Sequence, residues 1–309
     1  MPSQSFNTFW QGGELPPLEW SCLESFVANG HRLRLFSFDR ITVPSGVFLE
    51  SAYNIAKKED LFLFEDSFSA YSNIFRYKFL LESGGWWIDS DVYCLTDDVP
   101  DCRYAWAHED VRLINGAILK FPQGDRSLEG IKDEALRINA GIQFWGELGP
   151  NLLTKHLSEL ASEDHFGSRR SFYPIHWIES FLFWLPEART IIEQRIKTAH
   201  FVHLWSSVLR RYGIDVKRAV PAHSFLAQLY DRYPKRSVLG VLGDTRYHQT
   251  LGSIWAYLNE EWVRAYCDDI ACLDFSELLE LVKIAQDKNC SFNEKIIATL
   301  QSQEPIENR

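Results

Sequence analysis

Hydrophobic positions along the chain follow two periods, and the elements they predict alternate. Phe6 to Trp10 (FNTFW) reads as a short strand that breaks at Gly12-Gly13. Pro16-Pro17 then opens a helix through about Ala28, stopped by Asn29-Gly30. Leu33 to Phe38 (LRLFSF) alternates and is aromatic, so it predicts a second strand. Strand, helix and strand in that order predict a parallel crossover unit. Ser67 to Ser83 is the clearest helix, with apolar or aromatic residues at Phe68, Tyr71, Ile74, Phe75, Phe79 and Leu81, and a stop at Gly84-Gly85. Further strands are expected at Trp86–Ile88, Tyr104–Ala107 and Gly116–Phe121. The pattern turns helical from Ser127, with loops around Gly146–Asn151 and Ser168–Pro174. After about Gly213 it changes to amphipathic helices at Ser224–Tyr230, Ile254–Tyr266 and Phe275–Ala285. The expected organisation is an α/β domain over residues 1–213 and a helical extension over 214–309 packed on it. The final SQEPIENR is expected to fray.

Composition narrows the class. The chain has 309 residues, 46% hydrophobic and 14% aromatic, enough for one large core with an appendage. No apolar run reaches the length of a membrane span. The start, MPSQSFNTFWQGG, lacks the basic and apolar segments of an export signal, so a cytoplasmic location is expected. A formal charge of −10 without a basic stripe argues against nucleic acid as the main partner. Six cysteines without a Cys-x-x-Cys pair read as reduced thiols rather than a structural zinc site.

The candidate chemistry lies in LLESGGWWIDSD, residues 80–91, where an apolar strand delivers Asp89 and Asp91 one residue apart. In a continuous strand, positions i and i+2 face one side, so both carboxylates can address one point. Two negative charges at the end of a buried element repel unless a cation lies between them. Hard oxygen ligands suit Mg²⁺ or Mn²⁺ with positions left open for phosphate oxygens. A bare Asp-x-Asp is more often an ordinary acidic turn; the helix and Gly-Gly-Trp-Trp-Ile before it set this one apart.

The segment SAYSNIFRYKFLLESGGWWIDSDVYCL, residues 69–95, resembles the signature of the D-x-D sugar-nucleotide glycosyltransferases: Ser-Asp-x-x-Arg, a helix remainder, Gly-Gly, an apolar strand and Asp-x-Asp. That group includes the yeast initiating mannosyltransferase, the α-1,4-galactosyltransferases and the clostridial glucosylating toxins. The resemblance runs from about residue 6 to 210 and implies a GT-A-like, Rossmann-type nucleotide-binding sheet flanked by helices. It implies that Asp89 and Asp91 hold Mn²⁺ or Mg²⁺ on a UDP-sugar, beside Ser90, and that Arg76 and Asn73 address the sugar or phosphates. Trp10 resembles the tryptophan that stacks on uracil, although a core role is about as plausible among eleven tryptophans. Asn115-Gly116 and Gly149-Pro150 resemble later family segments. His203 and Trp205 in HLW resemble a late His-x-Trp element, in which the histidine completes the metal or diphosphate site. Asn73 departs from the family, which has aspartate there; asparagine keeps one acceptor, gains two donors and loses the charge.

The implied activity is metal-dependent transfer of a hexose from a UDP-sugar, with retention of configuration, to a glycan or, as second choice, a protein. A surface polysaccharide pathway is the implied setting. A front-face reaction needs no protein nucleophile, and the sequence names none. Arg76 has a structural alternative, an ion pair to Glu65, Glu82 or another carboxylate. One competing reading is a catalytically weak nucleotide-sugar or glycan-binding module of the same fold, motivated by Asn73. Another is a dehalogenase-type phosphatase, disfavoured by Tyr93 and His248 where that motif wants other residues.

Overall fold

A computed structural model describes residues 3–139, 141–158, 160, 164–235, 239–270 and 275–286. Proline begins its first crossover. Pro16 is extended and Pro17 takes the first helical position, where a missing N–H costs nothing. Strand β1 (Ser5–Phe9), helix α1 (Pro17–Ala28) and strand β2 (Arg32–Ser37) form the expected parallel unit, with Phe6 opposite Leu33. Strand β3 (Val47–Ser51), which sequence periodicity missed, continues it in parallel beyond β2.

Helix α2 (Ser69–Ser83) then brings the chain back to strand β4 (Gly85–Ile88), parallel to β1 on its other side. Gly84 makes this return possible. Its φ is +63°, and a Cβ there would lie 2.5 Å from the backbone nitrogen of Gln123. Only glycine combines that dihedral with that approach. On β4, Trp86 enters the core on the α1 side of the sheet and Trp87 the core beneath α2. The pleat makes this alternation unavoidable, so the adjacent tryptophans fasten the strand from both faces.

Strands β5 (Val92–Cys94), β6 (Tyr104–His108) and β7 (Ile114–Phe121) follow. Helices α3 (Arg126–Asn139) and α4 (Leu152–Leu157) close over α2, burying Leu128, Ile131, Leu152 and Leu153 with Phe75 and Phe79. Strand β8 (His165–Phe166), helices α5 (Arg169–Phe172) and α6 (Arg189–Arg195), strand β9 (Phe201–His203) and helix α7 (Ser206–Arg211) complete residues 160–213. The seven-stranded sheet has the order β3-β2-β1-β4-β7-β6-β8, with β7 antiparallel to both neighbours and the other pairs parallel. β5 and β9 form a separate two-stranded ribbon. This is the expected α/β arrangement, a mostly parallel sheet with helices on both faces.

Helices α8 (Phe225–Tyr230), α9 (Asp244–Leu258), α10 (Glu261–Ile270) and α11 (Phe275–Gln286) end the described chain. Leu226, Ile254, Val263 and Leu281 from these four helices join the core on the α1 side of the sheet. Tyr266 of α10 donates to Asp110, and the Arg112 guanidinium lies 4.4 Å from the Tyr266 ring centre. None of the described helices is long and apolar enough to cross a membrane.

The structure corrects three boundaries. The helix expected over Ile254–Tyr266 is two helices, because Asn259 turns its amide onto the Trp255 carbonyl at 2.8 Å and caps α9. The expected loop at Ser168–Pro174 contains α5, capped by the Ser168 hydroxyl. The loop at Gly146–Asn151 holds one wide helical turn, Glu147–Asn151, in which Gly149 takes φ −114° and ψ −110°. SQEPIENR lies outside the described residues.

Gly84→Ala is expected to lose about 2 kcal/mol or more, since it meets both a disfavoured dihedral and backbone rather than a yielding side chain. Urea midpoints measure it. An unchanged midpoint would contradict this account of the return to β4.

Candidate functional site

From β1 the chain winds outward through β2 and β3, then crosses back to β4 on the far side of β1. The winding direction reverses between β1 and β4, and such a reversal opens a crevice at the carboxyl ends of the two strands. Trp10 follows the end of β1 and Asp89 the end of β4, so topology alone brings both to one place. A cleft of about 540 Å³ lies there, within the usual size range of small-molecule sites.

The two aspartates meet by a route other than strand alternation. β4 ends at Ile88, and the Val92 N–H donates to the Asp89 carbonyl at 3.1 Å, so Asp89-Ser90-Asp91 is a tight turn. Asp91 leads into β5, which pairs with β9 so that Val92 lies opposite His203. One donor atom from each of Asp89, Asp91 and His203 falls within 4.8 Å of the others.

Each carboxylate is held from behind. Asp89 Oδ1 accepts from Arg76 Nη2 at 2.6 Å and from Trp87 Nε1 at 2.9 Å. Asp91 Oδ2 accepts the Ser206 N–H at 2.9 Å, and its Oδ1 lies 3.2 Å from His203 Nε2. Burial by itself would raise the Asp91 carboxyl, but the His203 charge, its hydrogen bond and Ser206 together hold it well below the ordinary range. The turn therefore carries a carboxylate at neutral pH.

His203 packs on Trp205 at a tilt of 35°, ring centres 3.9 Å apart, and its Nδ1 is buried without a hydrogen-bond partner. Trp205 takes φ +55°, uncommon for a bulky residue, and its ring N–H donates to the Ile175 carbonyl at 3.0 Å. His203 thus turns Nε2 toward Asp91, while its buried Nδ1 is a polar group without a partner. With its hard oxygens and one imidazole, the set fits Mn²⁺ or Mg²⁺.

Arg76 is 3% exposed and pairs with Asp89, so of its structural alternatives the partner is the motif's own aspartate. Glu65 instead lies 3.5 Å from Arg211. Gly116 explains how a guanidinium fits here: a Cβ on it would lie 2.1 Å from Arg76 Nη1. A Cβ on Gly149 would meet the Asn73 amide only at an ordinary contact distance of 3.4 Å. Of the two glycines of the later segments, it is Gly116 that makes room for a polar residue of α2.

Trp10, Asn73, Arg76, Asp89, Ser90, Asp91, His203 and Trp205 all line the cleft. The Trp10 ring is oriented by its N–H, which donates to the Gly13 carbonyl at 2.9 Å. Glu19, Trp145, Arg210 and Lys217 also line it, and sequence reading missed them. Glu19 stands in the first turn of α1 with Oε2 unpartnered, and burial together with Asp91 pushes its carboxyl up to about 7. Nothing in the local pattern marks these four; only the meeting of α1, α7, the stretch after α7 and the segment before α4 does.

No family model matches the chain, and no curated protein matches it. Solved structures that it resembles are glycosyltransferases. One is the PaToxG glycosyltransferase, at 13% identity over 51% of this chain and 69% of that one, with a TM-score of 0.41. Another is a glycosyltransferase involved in glycosylation of the major capsid of PBCV-1, at 15% identity over 68% and 97%, with a TM-score of 0.36. A third is apo GlyE of Streptococcus pneumoniae TIGR4, at 12% identity over 90% of this chain and 62% of that one, with a TM-score of 0.35.

Behind the site, Glu109 accepts from the Asn115 amide, whose oxygen in turn accepts the Ala117 N–H at 2.7 Å. Burial pushes the Glu109 carboxyl up to about 7, against the Asn115 hydrogen bond. Between its ordinary value and 7 the unfolded chain gives up this proton and the folded one keeps it, so stability falls as pH rises across that window. Relative to wild type, Glu109→Gln should gain on the order of 3 kcal/mol between pH 4 and 8. Urea unfolding without divalent metal measures this, and parallel pH curves for the two proteins would refute it.

Proposed function

We propose that this protein is a metal-dependent glycosyltransferase that moves a hexose from a UDP-sugar to a hydroxyl acceptor with retention of configuration. The observation that carries this reading is the Asp89–Asp91–His203 group, set at the switch point of a parallel sheet and backed by a buried arginine. Asp89, Asp91 and His203 would hold Mn²⁺ or Mg²⁺. A bound divalent ion neutralises charge building on a departing diphosphate, an effect worth several kcal/mol of barrier.

The chain's own groups do the rest. Arg76 fixes Asp89 and carries a positive charge into the cleft wall, where sugar and phosphate oxygens would lie. Ser206 and His203 keep Asp91 ionised. Trp10 offers a ring face to the base, while Arg210 and Lys217 supply cations for the phosphates. Asn73 offers one acceptor and two donors to sugar hydroxyls. Attack on the face from which the diphosphate departs requires no protein nucleophile, and we assign none. The four described cysteines are buried free thiols, in keeping with a reducing compartment, and we place the reaction in the cytoplasm, within polysaccharide synthesis.

Incubation with Mn²⁺ and a panel of UDP-sugars should release UDP from at least one of them, and chelation should stop it. Asp91→Ala should abolish release. Gly116→Ala, which drives a methyl into Arg76, should lower turnover on the order of 10²-fold. Metal-dependent UDP binding without release from any sugar would favour a binding module, in which Asn73 marks the lost turnover. Neither binding nor release would end the proposal.

A further inference from the structure

The lining of the cleft divides by chemistry along the chain. Residues 9–19 and 203–217 bring Trp10, His203, Arg210 and Lys217, an aromatic face, an imidazole and two cations, with the single carboxylate of Glu19. Residues 64–73 and 142–150 bring Glu65, Asp66, Ser69, Ser72, Asn73 and Trp145 and, among the described residues, no lysine, arginine or histidine. The first half suits a base with a diphosphate. The second, whose Glu65 is already paired with Arg211, is rich in partners for neutral hydroxyls.

That second half also holds an aromatic ring kept in place yet open. Trp145 is 36% exposed and Phe144 beside it 50%. Of the two, Trp145 lines the cleft, and a large aromatic left uncovered there offers a face for a ligand. The Arg211 guanidinium lies 5.1 Å from the Trp145 ring centre and is paired with Glu65 at 3.5 Å, so the ring is braced rather than loose. Glu65 and Asp66 both take left-handed dihedrals, +48° and +56°, in a turn closed by two reciprocal 3.0 Å bonds between Phe64 and Ser67. The turn thus delivers two carboxylates to the cleft wall, and Glu65 is joined to the ring through Arg211.

We infer that Trp145, Glu65 and Asp66 form the acceptor subsite and that the acceptor is a neutral glycan. The inference rests on the glycosyl-transfer reading and supplies its missing substrate class. A pyranose has an apolar C–H face, which a tryptophan ring covers, and a rim of hydroxyls, which carboxylates accept from. In the transfer, an acceptor hydroxyl oxygen bonds the anomeric carbon and the bond to the diphosphate breaks with its electron pair on UDP. The acceptor's proton passes to the departing phosphate oxygen. Trp145 orients the acceptor for this step and takes no part in the bonds.

Saturation-transfer NMR tests the subsite without turnover, using full-length protein with diamagnetic Mg²⁺ and UDP and four probes: lactose, maltotetraose, cellotetraose and chitotetraose. At least one should bind, with the strongest saturation on its ring C–H protons. Trp145→Ala should weaken that saccharide about tenfold more than it weakens UDP. Trp145→Phe should restore most of the difference, which separates loss of the ring from loss of the fold. Equal weakening of UDP and saccharide would assign Trp145 to the donor side and overturn the inference. So would a wild type that releases UDP but binds none of the probes, or that transfers sugar only to peptides. Absence of Mn²⁺-dependent UDP release from wild type would instead strike the transfer reading itself, in a separate measurement.

Discussion

Repulsion between two carboxylates is the constraint around which the rest of this molecule is arranged. At 4.8 Å, the limit of their separation, two unit charges oppose each other by about 3.5 kcal/mol at an effective dielectric of about 20. Asp89 and Asp91 sit within that distance because each is held by a different part of the fold. Arg76 and Trp87 grip the first from α2 and β4, and His203 and Ser206 grip the second from β9 and α7. What remains is a set of hard oxygen donors and one imidazole facing a cleft, a donor set that suits a divalent cation.

Much of the surrounding structure can be read as support for those grips. The adjacent tryptophans Trp86 and Trp87 fasten β4 into both cores, so the strand that ends at Asp89 has little freedom to move. Gly116 gives up its side chain so that a buried guanidinium can reach Asp89. Trp205 accepts an unfavourable dihedral while packing on His203. These are local sacrifices at a site, which is where strain is usually tolerated.

The helices after residue 224 are tied to the same region. Tyr266 of α10 donates to Asp110, next to Glu109, which holds the Asn115 amide beside Gly116. The chain of contact from the last helices to Arg76 is therefore short: one tyrosine, two acids, one amide and a glycine. Apolar residues of those helices also complete the core on the α1 side of the sheet.

The residue pattern by itself determined the class of fold and the two acids. Period-2 and period-3.6 runs are local properties, so strands such as β1 and β2 and a long helix such as α2 were legible to within a few residues. A glycine pair ahead of an apolar strand and Asp-x-Asp is likewise written within a dozen positions. Strands of two or three residues, such as β5, β8 and β9, carry no period to read. They exist because partners distant in the chain pair with them. The same distance hid Glu19, Trp145, Arg210 and Lys217, which line the cleft only once four separate segments converge. Even the geometry of the acidic pair was a tertiary decision. Alternation along one strand would have aimed both acids at one side, whereas the fold ends the strand at Ile88, sets both acids in a turn and uses the pairing of β5 with β9 to bring His203 alongside. Covalent order sets which groups are available; the meeting of elements far apart in the chain decides which of them share a charge.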